Sequence, residues 1–122
     1  TVHGDGKQTR TFVYVDDAVD AMMRLAFEAT CEGETFNIGT AKEVTMLELA
    51  KVMKQAGSFS SEIVFLPHVE VYGKSFEDIP RRVPDVGKIK KFVGWEATTS
   101  LEAGLKKTIE YYRERHQVSI SL

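Results

Sequence analysis

The chain has 122 residues, 43% of them hydrophobic, with 16 Lys and Arg against 18 Asp and Glu and a formal charge of -2. That length suits one domain with a core of its own, and the near balance of charge excludes a nucleic-acid footprint or an acidic tail. The single cysteine, Cys31, has no mate for an internal disulfide, no Cys and His group has zinc spacing, and no apolar run approaches the roughly 20 residues of a membrane span. A cytoplasmic protein with no nucleic-acid or membrane partner is the expectation.

In chain order, Thr11 to Val15 is expected to form a strand after the GDG turn, with Phe12 and Tyr14 on one side and Val13 and Val15 on the other. Asp16 or Asp17 is placed to cap a helix whose apolar residues Val19, Met22, Met23, Ala26 and Ala29 recur on one face. ETFNIG reads as a second strand. Thr45 and Glu48, three apart, form a capping box for a helix carrying Met46, Leu49, Val52, Met53 and Ala56, with Gly57 as its left-handed stop.

Glu62 to Leu66 is the third strand, and HVEVYGKSFEDIPRRVP is expected to be loop. Asp85 caps a short helix with Ile89, Phe92 and Val93, ended by Gly94 and Trp95. The last helix starts at Thr99 or Ser100, with Glu102 as its box partner and Leu101, Leu105, Ile109 and Tyr112 on one side. The tail RERHQVSISL is expected to fray. Alternating strands and helices predict a small α/β unit of three or four short strands and four helices.

Chemistry-bearing residues cluster at element ends: Gln8 with Arg10, Asn37 in FNIG, and Arg81 with Arg82. Two converging guanidinium groups would suit a pyrophosphate, whose oxygens match their planar forks; separately, arginines are ordinary solvated surface groups or ion-pair partners. GDG is not a dinucleotide fingerprint, because that motif follows a strand and opens a helix, and here it lies before a strand. His3, His68 and His116 stand in separate contexts. Cys31 reads as a packing residue with no histidine to activate it, and Asp16-Asp17 as a helix cap rather than an acid-base pair.

Three segments, GDGKQTRTFVYVDDAVDAM, ETFNIGTAKEVTMLELA and RRVPDVGKIKKFVGWEATTSLEAGLKKTIEYYRE, together resemble the C-terminal third of extended short-chain dehydrogenase/reductases. Within them the chain is most similar to the NAD-dependent nucleotide-sugar epimerases, 4,6-dehydratases and UDP-glucuronate decarboxylases. The resemblance implies a C-terminal substrate-binding subdomain over residues 1–122, with NAD held by an N-terminal Rossmann domain. It implies that Arg10 of Q-T-R, with Gln8 beside it, contacts the nucleotide or its phosphates, that Asn37 helps place the diphosphate, and that Arg81, the first arginine of the R-R pair with Arg82, contacts the pyrophosphate.

The family's G-x-x-G-x-x-G loop and Y-x-x-x-K pair have no counterpart in these residues. The expectation is therefore a catalytically incomplete piece of a longer or split enzyme, with no catalytic, cofactor or metal residue of its own, awaiting a Rossmann-domain partner. The alternative is a stand-alone oligomeric interaction or ligand-binding protein of the same descent. A homo-oligomer is expected in either case.

Overall fold

The structure is a computed structural model and describes residues 1–73, 75 and 77–116. Among the described residues, four two-residue strands make two small pairings. β1 (Val2–His3) lies parallel to β4 (Phe65–Leu66), and β2 (Thr9–Arg10) runs antiparallel to β3 (Val44–Thr45), with Thr9 opposite Thr45 and Arg10 opposite Val44. A single parallel bridge joins Thr9 to Arg81, made by Thr9 N–H donating to the Pro80 carbonyl at 2.9 Å. Neither Thr11–Val15 nor ETFNIG forms a strand. Residues 11–14 are irregular and a helix already begins at Val15. Apolar alternation is only half of a strand, and these runs find no ladder partner to accept their backbone hydrogen bonds.

α1 (Val15–Phe27) has Tyr14 at its N-cap and no side-chain cap, so Asp16 and Asp17 fall inside the first turn instead of capping it. There they favour the positive helix end. The small residues Ala18 and Ala21, with Leu25, turn inward at helical spacing, and Ala21 joins Ile89 and Trp95 in the buried core. The larger stripe expected from periodicity points outward: Val19, Met22 and Met23 are half exposed or more, and Phe27 is 82% exposed. A short 3-10 turn, Ala29–Cys31, follows and buries Cys31.

α2 (Met46–Gly57) opens with the capping box. Glu48 N–H donates to Thr45 Oγ1 at 3.1 Å and Thr45 N–H to Glu48 Oε2 at 2.9 Å. Its left-handed stop is Ser58, at φ 53°, and not Gly57. Gly57 is the last helical residue, and the Phe59 ring fills the space a side chain there would need. Arg113 caps this end, donating to the Gly57 carbonyl at 2.6 Å.

The expected loop after Pro67 holds a one-turn helix, α3 (His68–Tyr72), too short for any apolar period to announce. Asp85 Oδ1 accepts Gly87 N–H at 2.8 Å at the head of α4 (Gly87–Val93), and Gly94 at φ 63° ends it, delivering Trp95 to the core. α5 (Leu101–His116) packs on α2. Ser100 Oγ accepts Ala103 N–H at 3.2 Å, which makes Ala103 the third helical residue and leaves Glu102 outside any box. Of the expected frayed tail, 113–116 continue the helix, and 117–122 lie outside the described residues.

Candidate functional site

The GDG turn needs both of its glycines, which sit at φ 72° and 71°. A side chain at Gly4 would strike the His68 ring, and one at Gly6 would meet Val2 and Leu47. The turn is thus filled by packing and offers no cradle for a dinucleotide. Gln8 closes the turn, its Nε2 donating to the His3 carbonyl at 2.9 Å.

Arg10 is held on three sides. Nη1 donates to the carbonyls of Thr9 and Ile79, both at 2.7 Å, and Nη2 donates to Asp78 Oδ1 at 2.8 Å. Both side chains of the ion pair are largely covered, 15% exposed for Arg10 and 22% for Asp78. His68 Nε2 stands 3.7 Å from the other Asp78 oxygen. These bonds engage three of the five guanidinium N–H groups. Gln8, Arg10 and Asp78 line a cleft of about 410 Å³, with His3, His68 and Tyr72 around it and Met46, Leu49 and Met53 of α2 as its apolar side.

His3 and His68, read as unrelated in the sequence, meet here. His3 Nδ1 lies 2.8 Å from the Tyr72 hydroxyl, and the His68 ring stacks on Tyr72 at 6.2 Å. Of His116 only the helical backbone is described.

Arg81 has a different setting. Its Nε is 3.1 and 3.0 Å from the Glu43 oxygens and its Nη2 is 2.6 Å from Oε1, a two-pronged grip, while Thr9 Oγ1 donates to Glu43 Oε2 at 2.8 Å. The hydrogen bonds from Arg81 and Thr9 hold the Glu43 carboxyl below its usual range, and Glu43 in turn raises Arg81. Asn37 Nδ2 donates to the Asp85 carbonyl at 3.1 Å, tying the FNIG segment to the stretch that carries Arg81 and Arg82. Of the four predicted site residues, Gln8 and Arg10 share a cleft, Arg81 adjoins them through backbone pairing, and Asn37 reaches the same segment farther along.

Sequence reasoning did not select Asp78, Tyr72, Thr9 or Glu43. Their partners lie 34 to 69 residues away, and no local pattern marks them. Among the described residues, no group of three His, Cys, Asp or Glu could hold a metal ion, and no helix is long and apolar enough to cross a membrane.

Residues 1–108 match the GDP-mannose 4,6 dehydratase family. Over 113 residues the chain is 45% identical to a UDP-N-acetyl-alpha-D-glucosaminuronate decarboxylase of Bacillus cytotoxicus, covering 93% of this chain and 35% of that protein. Among solved structures it is similar to UDP-glucose 4-epimerase of Thermotoga maritima with UDP-glucose (TM-score 0.76, 39% identity, 93% of this chain, 35% of that one). It is also similar to MoeE5 in complex with UDP-glucuronic acid and NAD (TM-score 0.76, 26% identity, 93% and 36%). The chain belongs to the GDP-mannose 4,6 dehydratase family, among the NAD-dependent nucleotide-sugar epimerases and dehydratases of the extended short-chain dehydrogenase/reductase class. It spans about a third of the length of the relatives it matches here.

Proposed function

We propose that this chain is the substrate-binding C-terminal portion of an NAD-dependent nucleotide-sugar epimerase, dehydratase or decarboxylase, and that it holds a nucleoside-diphosphate sugar. The observation that carries the reading is the Arg10 cleft: a guanidinium fixed by three bonds, with Gln8 alongside, in a recess roomy enough for part of a nucleotide. A diphosphate is drawn to the basic edge formed by Arg10 and the Arg81–Arg82 tandem, with Asn37 on the far side of that segment. UDP-sugars named with two of its relatives supply the ligand class.

The chain is incomplete as a catalyst on this reading. None of its four tyrosines is followed four positions later by lysine, so the base and the NAD-binding lysine come from a Rossmann-domain partner. It acts in the cytoplasm, and in isolation it self-associates through the exposed apolar face of α1, the feature that also favours the second reading, an interaction protein of this descent.

Calorimetric titration of the chain with UDP tests the binding reading. Weak, saturable binding that Arg10→Ala abolishes is the expected result; binding indifferent to Arg10→Ala sinks the residue assignment, and no heat with UDP sinks the nucleotide reading.

A further inference from the structure

Residues 78–82 lie alongside β2 and are fastened to it by backbone and side chain together. Thr9 N–H donates to the Pro80 carbonyl at 2.9 Å, and through the Thr9–Arg81 bridge Arg82 N–H donates to the Thr9 carbonyl at 3.4 Å. Arg10 supplies the rest, with Nη1 donating to the Ile79 carbonyl at 2.7 Å and Nη2 to Asp78 Oδ1 at 2.8 Å. The Asp78 contact differs in kind from the others. It joins two side chains, so it can be exchanged without leaving a backbone carbonyl or N–H unpaired. It also lies at the cleft of about 410 Å³: apart from the histidines, the charged side chains that line it are Arg10 and Asp78.

We propose that Asp78 is a built-in competitor for the ligand at Arg10, and that a diphosphate binds by displacing its carboxylate. A guanidinium grips a phosphate with two neighbouring N–H groups. Nη1 is given to the Thr9 and Ile79 carbonyls, which leaves the edge formed by Nε and Nη2, and Nη2 is the nitrogen that Asp78 holds. The pair is largely covered, 15% exposed for Arg10 and 22% for Asp78, so water screens it less than a surface pair. A phosphate brought to that edge meets a guanidinium already neutralised, with a like charge beside it. Exchange of carboxylate for phosphate removes both obstacles. His68 Nε2 stands 3.7 Å from the other Asp78 oxygen, so a small side-chain rotation hands the freed carboxylate to that ring. The same movement takes Asp78 out of the cleft wall, while the backbone bonds keep residues 80–82 on β2. Asp78 thus sets the affinity of the site, because the ion pair that steadies the 78–82 segment also opposes the ligand.

This assignment rests on the nucleotide-sugar reading above, and the experiment keeps the two apart. UDP is titrated calorimetrically into the unmodified chain, Asp78→Asn, Arg10→Ala and the double variant, and each protein is melted. Asp78→Asn keeps the size of the side chain and removes its charge. It is expected to bind UDP about threefold to tenfold more tightly, the scale of one covered ion pair, while its melting temperature falls. A merely structural role would lower affinity and melting together. In the Arg10→Ala background the same substitution should gain nothing, since the competition is for Arg10. In the unmodified chain the carboxyl-carbon NMR signal of Asp78 should shift as UDP saturates, a readout that needs no variant. Weaker or unchanged UDP binding by Asp78→Asn, an unmoved carboxyl signal, or a gain that persists without Arg10 overturns the competition and leaves the nucleotide reading standing. Absence of UDP binding by the unmodified chain overturns the nucleotide reading and this assignment with it.

Discussion

Asp17, in the first turn of α1, accepts the backbone N–H of Thr98 at 3.0 Å and of Thr99 at 2.8 Å, and its other oxygen takes the Thr99 hydroxyl at 3.0 Å. One carboxylate thereby joins the first long helix to the lead-in of the last. Burial pushes its pKa up, and the hydrogen bonds from Thr99 and Thr98 outweigh it and hold the carboxyl below its ordinary value of 3.8. A carboxyl depressed in the folded state stabilises the fold fully above its unfolded value, and the contribution is lost as pH falls through the lower folded value. Asp17→Ala is expected to cost about 1–2 kcal/mol in urea unfolding at pH 7. The difference between variant and parent should shrink below pH 4. A difference that does not change with pH would show that the charge is not what matters.

Thr45 carries both halves of the α2 capping box, and its strand partner Thr9 lies on the candidate site. Replacing Thr45 by alanine strips the hydroxyl from Glu48 N–H, with an expected loss of about 1 kcal/mol. Serine should recover most of it. Chemical denaturation of the three proteins decides this; equal stability of Thr45→Ala and the parent would mean that water caps the helix equally well.

The Thr45–Glu48 box and the Gly94 stop were legible in the sequence because donor and acceptor lie within one turn of chain. Thr11–Val15 and ETFNIG were not, since a strand exists only through a partner. Of the residues from Thr9 to Val15, only Thr9 and Arg10 find one on β3, and the bridge from Thr9 to Arg81 spans most of the chain. The same limit governs the site. Arginine chemistry marks Arg10, but the carboxylate that orients it, Asp78, is 68 residues on. Likewise the apolar period of α1 is real, yet period alone does not say which stripe is buried. Ala21 went inward because small residues allow close approach to Trp95 and Ile89.

Gly4 couples the turn to the cleft. It combines a positive φ of 72° with a surface against which the His68 ring is packed. Gly4→Ala is therefore expected to destabilise the fold by about 1–2 kcal/mol through backbone strain and to push His68 away from Asp78. NMR chemical shifts of the His68 ring and of the Arg10 Nε–H check this. Unmoved signals at both would mean that the turn adjusts without reaching the site.

The α1 face supplies the last prediction. Val15, Val19, Met22, Met23 and Phe27 recur along one side of the helix and are exposed. Contiguous apolar surface of this kind is uncommon on a soluble monomer. The helix is acidic in its first turn, at Asp16 and Asp17, and basic in its last, at Arg24. A second copy related by a two-fold axis covers this face with the same face of its own α1, which buries both at once. The isolated chain is thus expected to run as a dimer in light scattering across a concentration series. The double substitution Val19→Lys and Met23→Lys places two charges in the centre of the seam. These positions are exposed in the single chain, so the fold should survive, as circular dichroism can verify, while the mass falls to that of one chain. A parent protein that stays monomeric at every concentration would remove this face as a self-association surface, and a double variant that remains dimeric would place the contact elsewhere on the molecule.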